Sequence, residues 1–413
     1  MKVIFITDSY YPRPSPNAIC VRRLKDEFER RGIPSNIITL RNFYRISEPY
    51  ECNVKYVKPD ILYSSWFKAN ENNNECKKKL LIKIFRLRGV INGFFWPLSS
   101  TTHIRRYLKA IGEELKKGDG ETIIIGAYKS LEGAVAGAIA KKRFKAGKYI
   151  LYSLDAMSGS VIPNIYGSKT IGVHSIKRWE KSLFKSYDYI YLMDSHASFY
   201  RKAEYNLFRN KFRFVGIPLF VPRINNHPCK SVSNTKRHMV FTGSMAVSTA
   251  DPRYFLDLIN AIERDDIIVD FYGKIFHDEI LEKIKCSPYA KYHGTQSHEV
   301  ILEIQQQADV LLNFGNFTPC GIPCKIFEYF SSGRKVISCY KIDDDASKPY
   351  IEKYPNSLLI DERRSKAENA VSLIKFLDNQ YTVDSNLILE TFKFNTPEAT
   401  VSQIISDFYE SRN

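Results

Sequence analysis

Short, unbroken apolar runs recur along this chain, and a helical pattern follows most of them. In the first half they lie at 3–6, 36–40, 122–125, 148–152 and 189–193. In the second half they lie at 238–242, 267–272, 290–293, 310–314, 335–339 and 357–360. A strand without polar alternation is buried on both faces, which requires helices above and below a parallel sheet. The opening shows the pattern in full: a strand over 3–6, a loop, then a helix over 17–31. Ile19, Leu24 and Phe28 of that helix face inward, Gly32 ends it, and a second strand follows at 36–40. Helical periodicity also covers 80–118, 252–264, 297–308, 324–332 and 397–411. The class is α/β, with two doubly wound domains. The polar, non-periodic stretch 225–235 marks the linker. The expected boundaries are an N-terminal domain 1–224, a linker 225–237, a C-terminal domain 238–396, and a last helix 397–413 crossing back to the first domain.

A length of 413 residues suits two such domains. The N-terminus enters a strand with no signal-peptide pattern, and no run of eighteen apolar residues occurs, so a cytoplasmic protein is expected. The eight cysteines form no CxxC and no zinc spacing, which reads as reduced thiols. Charge is divided unevenly. Residues 1–220 hold 39 Lys and Arg against 19 Asp and Glu, and the remainder holds 22 against 26. The first half is therefore at +20 and the second at −4. A uniformly basic nucleic-acid binder would not divide in this way; one half facing an anionic surface would.

The segment 313–337 carries the most chemistry. A buried strand ends at Phe314, a Gly/Pro loop follows, and a helix opens near Pro323, whose fixed φ and missing N–H suit a first turn. The amides of Cys324 and Lys325, with the positive end of the helix dipole, make an anion site, and Lys325 adds a cation. Glu328 lies on the same side at i+3, where a carboxylate can accept hydrogen bonds from both hydroxyls of a ribose. The plainer reading of Lys325 and Glu328 is a surface ion pair.

These residues resemble a known family. PCKIFEYFSSGRKVI (323–337) resembles the nucleotide-sugar helix of GT-B-fold glycosyltransferases, of the glycosyltransferase family 4 group. FTGSMA (241–246), DFYGK (270–274), YHGTQSHEV (292–300) and the opening KVIFITDSYYPRPSPNA follow that group's order over nearly the whole length. The resemblance implies two Rossmann-like domains facing across a cleft and transfer of a sugar from a nucleotide-sugar donor, without a metal or other cofactor. It makes Glu328 the ribose ligand and Pro323, Cys324 and Lys325 its helix-end neighbours. Gly243 and Ser244 become the glycine turn at the diphosphate, Lys274 the leaving-group cation, and Thr295 and Gln296 the base-side loop. Ser15, Pro16 and Asn17 replace the acceptor-side glycine pair. Cys320 stands where many members carry an acidic residue, which puts that donor-sugar contact in doubt.

On the acceptor side, Asp155 at a strand end is the candidate to orient or deprotonate a hydroxyl. His174 and Glu180 read as structural, and Asp343, Asp344 and Asp345 as a solvated acidic turn rather than a metal motif. Lys77, Lys78, Lys79, Lys83, Arg86 and Arg88 interleave with apolar residues and precede Trp96, a composition suited to an anionic membrane surface. The expected partners are therefore a nucleotide sugar, a lipid-linked or saccharide acceptor and the inner face of the cell membrane. A polysaccharide-precursor setting follows from the resemblance only. A nucleotide-sugar epimerase of related fold, an idle scaffold and a basic nucleic-acid binder remain alternatives, the last without a recognisable reading motif.

Overall fold

The computed structural model describes residues 1–11, 14–43, 53–92, 100–117, 120–128, 131–159, 169–223, 236–317, 322–379 and 384–410. The chain divides into two compact units, Met1–Pro218 with Pro397–Asn413, and Leu219–Thr396. The expected boundary at 224 falls inside the second unit. Of the expected linker, 225–235 lie outside the described residues, and Arg237 already opens a strand.

The first unit runs β1 (Lys2–Thr7), α1 (Pro16–Arg30), β2 (Ser35–Leu40), β3 (Val54–Val57), α2 (Ile61–Glu71), α3 (Glu75–Asn92), α4 (Thr101–Leu115) and β4 (Thr122–Tyr128). It continues with α5 (Leu131–Phe144), β5 (Lys148–Ser153), α6 (Lys169–Ser186), β6 (Tyr189–Met193), α7 (Ala197–Tyr200) and β7 (Phe212–Val215). All seven strands pair in parallel in the order β3-β2-β1-β4-β5-β6-β7. The periodicity of 80–118 resolves into the end of α3 and the whole of α4. Strands β3 and β7 escape a sequence reading because each is four residues long and half-exposed.

The second unit runs β8 (Arg237–Thr242), α8 (Arg253–Ile262), β9 (Ile267–Tyr272), α9 (Asp278–Cys286), β10 (Ala290–Tyr292), α10 (His298–Gln307), β11 (Val310–Phe314) and α11 (Lys325–Ser332). Then follow β12 (Lys335–Tyr340), α12 (Lys348–Lys353), β13 (Ser357–Asp361), α13 (Lys366–Asp378) and α14 (Ser385–Phe392). Its six strands are also parallel, in the order β10-β9-β8-β11-β12-β13. The last helix, α15 (Pro397–Glu410), belongs to the first unit and packs on α1.

Each sheet has a core of its own. Ile4, Ile6, Ile124, Leu151 and Leu192 are fully buried in the first, and Met239, Val269, Leu312 and Ile337 in the second. In a doubly wound sheet, ligands bind beyond the carboxyl ends of the strands where the order reverses. Those switch points lie between β1 and β4 and between β8 and β11. Each falls among residues that the sequence marks as chemical.

Candidate active site

Strands β8, β9 and β10 stand side by side, and each leaves the sheet through a glycine close behind it: Gly243, Gly273 and Gly294. The three turns are laced together. Gly243 N donates to Tyr272 O at 2.8 Å, and Gly273 N donates to Gly294 O at 2.7 Å. At Gly273 no other residue fits, because φ is +131° and a β-carbon would lie 1.8 Å from the Gly243 carbonyl oxygen. Beyond the glycines, Met245 N donates to Lys274 O at 2.8 Å and Phe276 N to Met245 O at 3.0 Å. The Lys274 ammonium sits 4.7 Å from the centre of the Phe276 ring. Ser244 is exposed.

Helix α11 starts one residue beyond the expected Cys324, which takes the N-cap position with no side-chain cap bond. Ile326 N donates to Pro323 O and Phe327 N to Cys324 O, at 3.0 and 3.3 Å. Both of these amides are thereby engaged within the first turn, and what the helix start offers a ligand is the positive end of its dipole. Ile326, Phe327, Tyr329 and Phe330 bury one face, and Gly333 ends the helix at φ +72°. This anchorage leaves Lys325 and Glu328 directed to the end of β8. Lys325 Nζ lies 3.5 Å from Thr242 Oγ1, and its Cδ would be 3.7 Å from a β-carbon on Gly243. Burial holds the Lys325 ammonium below the usual lysine range, with the Glu328 carboxylate opposing. The two are thus not a solvated surface pair.

Three further residues complete the cluster: Thr242 and Tyr329, which lie within quoted segments without being singled out there, and Gln305, which nothing in the sequence marks. Tyr329 OH donates to Thr242 O at 3.2 Å and accepts from Thr242 N at 3.2 Å; burial pushes its phenol up to about 12. Gln305 on α10 donates from Nε2 to Thr242 Oγ1 at 2.9 Å and to Glu328 Oε2 at 3.4 Å. All three look apolar-adjacent in sequence, and only the packing of α10 and α11 on β8 unites them.

Other expected residues stand apart. Thr295 and Gln296 are exposed in the loop after β10, two strands from Thr242, where Gln296 Nε2 donates to His293 O at 3.4 Å. Cys320 lies outside the described residues. Asp345 corrects the reading of a solvated acidic turn: it is 3% exposed and accepts from Ser347 N at 2.8 Å, while Asp343 pairs with Arg363. Among the described residues, no group of three His, Cys, Asp or Glu side chains is arranged to hold a metal ion.

At the first unit's switch point, Ser15, Pro16 and Asn17 begin a helix instead of continuing a loop. Ser15 caps α1 by accepting from Ala18 N, Pro16 is its first residue, and Asn17 Nδ2 donates to Tyr128 O at 2.6 Å. Asp155 is exposed just past β5. Burial raises the Tyr128 phenol, reinforced by the Glu180, Asp155, Glu132 and Asp8 carboxylates. Glu180 is fully buried and accepts from Ser158 N, Ser158 Oγ, Tyr200 OH and Tyr205 OH at 2.7 to 3.2 Å. It pins the segment that follows Asp155. His174 is exposed on α6.

The basic stretch forms α3, which packs on α2 through Phe85 against Tyr63 and Trp66. Lys77, Lys79 and Lys83 are exposed beside Leu80, Ile82, Ile84 and Leu87, with Ile61 nearby in sequence on α2. Lys78 pairs with Glu75. Arg88 departs from the expected patch, since it bonds Asp60 at 2.9 Å and covers the Tyr63 ring. The Arg86 side chain and Trp96 lie outside the described residues. Among the described residues, no helix is long and apolar enough to cross a membrane.

No protein-family profile matches the chain, and no curated protein matches it in sequence. Solved structures do match in fold. A glycosyltransferase from Rickettsia africae superposes with a TM-score of 0.63 at 10% identity, over 99% of this chain and 98% of that one. The lipopolysaccharide outer core galactosyltransferase WaaB, in its apo form, gives 0.59 at 12% identity over the whole of both chains. An alpha-glucosyltransferase in complex with UDP and a mismatched 13-mer DNA gives 0.56 at 10% identity, over 98% and 99%. The fold is the two-sheet GT-B fold of glycosyltransferases.

Proposed function

We propose that this chain is a glycosyltransferase that takes a nucleotide sugar as donor, and that the end of β8 with the start of α11 is its donor site. One observation carries the reading. A half-buried ammonium, a carboxylate one turn further on and a glycine turn converge at the switch point of the second sheet. The positive end of the α11 dipole and Lys325 hold the diphosphate, and Glu328 accepts from the ribose hydroxyls. Gly243 and Ser244 let the backbone approach the phosphates, while Thr295 and Gln296 flank the base.

In the reaction, an acceptor oxygen bonds to the anomeric carbon as the bond from that carbon to the diphosphate breaks. The bonding pair leaves with the diphosphate, where Lys274, Lys325 and the positive end of the α11 dipole stabilise it, so no metal is required. Asp155, with Ser15 to Asn17 at the neighbouring helix start, orients the acceptor and takes its proton. The acceptor is lipid-linked, and the exposed lysines and aliphatics of α2 and α3 dock the first unit on the anionic inner face of the membrane.

The test is thermal denaturation with a panel of nucleoside diphosphates and nucleotide sugars, in the presence of chelator. A ligand at about 100 times its Kd stabilises the fold by about 2.7 kcal/mol. Wild type is expected to respond to one base, and Glu328→Ala to lose that response. Silence of the wild type toward every nucleotide sinks the proposal.

A further inference from the structure

We infer that Gln305 is a positioning residue for Glu328, and that through it the protein tells a ribonucleoside diphosphate from its 2′-deoxy counterpart. The inference rests on the ribose role of Glu328 given above. Helix α10 turns two residues fully toward the core, Ile301 and Gln305, one helical turn apart. An apolar residue is the ordinary occupant of such a place. Gln305 is 0% exposed, and its Oε1 is buried without a hydrogen-bond partner among the described residues. A buried, unsatisfied amide oxygen destabilises a fold, whereas a leucine brings no polar atom of its own to satisfy.

What the amide does with its nitrogen accounts for its presence. Tyr329 OH donates to Thr242 O, so the Thr242 hydroxyl gives its own hydrogen to Tyr329, 3.1 Å away, and its oxygen is left to accept. Glu328, as a carboxylate, only accepts. Both groups facing the amide therefore call for a donor, which fixes Nε2 toward them without ambiguity. One hydrogen goes to Thr242 and the other holds Oε2 of Glu328. Lys325, three residues earlier on the same helix, attracts the same carboxylate. With Oε2 tethered, Oε1 and the second lone pair of Oε2 stay directed outward for two neighbouring hydroxyls. Without the tether, the carboxylate folds onto Lys325 and the second hydroxyl loses its acceptor.

Titration calorimetry of wild type, Gln305→Leu and Gln305→Glu with UDP and dUDP, and with GDP and dGDP, tests this. Wild type is expected to favour the ribose form of its preferred base by at least about tenfold, and Gln305→Leu to narrow that to within about threefold. The ligand-free Tm of Gln305→Leu should be unchanged or higher. A role confined to packing would instead lower the Tm and weaken both sugars equally, and that result overturns the inference, as does an unaltered ratio or a wild type indifferent to the 2′-hydroxyl. Gln305→Glu keeps the shape while replacing the donor by an acceptor, so it must lose the preference even if the leucine variant fails to fold. Glu328→Ala separates the two failures. If it binds nucleotides as wild type does, the donor-site reading is wrong; if it loses them while Gln305→Leu keeps its preference, only the role of Gln305 is wrong.

Discussion

Lys325 shows how one side chain sets a pH window. Burial lowers its proton affinity in the folded state, while in the unfolded chain it titrates near the ordinary value of about 10.4. Between those values the unfolded chain holds more protons, so ligand-free stability rises with pH across the window. A diphosphate needs the charged form, so its affinity falls over the same window. Calorimetry in buffers of differing ionisation enthalpy should show proton uptake on binding there, and Lys325→Met should bind weakly and without that uptake. At Gly273 the constraint is steric. Gly273→Ala places a methyl group on the Gly243 carbonyl at a positive φ, which should destabilise the second unit by at least about 2 kcal/mol. Urea unfolding measures this; a loss below half that value means the two turns can part.

Helices carry the next level of dependence. α15 looks like any amphipathic C-terminal helix, yet one buried acid on it meets two strands. Asp407 accepts from Arg213 Nε at 2.8 Å and from the Tyr191 hydroxyl, and burial together with Asp407 pushes that phenol well up. At the other end, Arg31 reaches Glu398 O at 3.0 Å and Ser402 Oγ at 2.9 Å. Arg213 is part-exposed and keeps its bonds to Asn210 O and Phe212 O, so the loss falls on the buried Tyr191 hydroxyl and the strand contact. Asp407→Ala should therefore cost about 1–3 kcal/mol. Hydrogen exchange should localise the loss to α15, β6 and β7, and exchange that stays protected there would refute the assignment.

For the molecule as a whole, the charge division and the α2–α3 pair make a claim about where it works. Co-sedimentation with vesicles of mixed neutral and anionic lipid should show binding that weakens with salt. Reversing Lys77, Lys79 and Lys83 to Glu should lower affinity on the order of a hundredfold, at roughly 1 kcal/mol for each basic residue near the surface. Arg88→Gln should instead disturb the hairpin through Asp60, leaving vesicle affinity nearly intact. Equal losses in both variants would mean that the helix pair, not its charge, is what matters. All strands but β3 and β7, and their parallel pairing, were legible from the linear chain, because apolar runs buried on two faces admit few other arrangements. That Lys325 and Glu328 share one side of α11 was legible too, since three residues is close to one turn. Hidden from that view were Gln305, Thr242 and Tyr329, the burial of Asp345, the capture of Arg88 by Asp60 and the hold of Asp407 on two strands. Periodicity is a property of neighbours along the chain, and it fixes which face of an element turns inward. Which polar groups then meet depends on residues far apart in sequence that packing alone brings within hydrogen-bond reach.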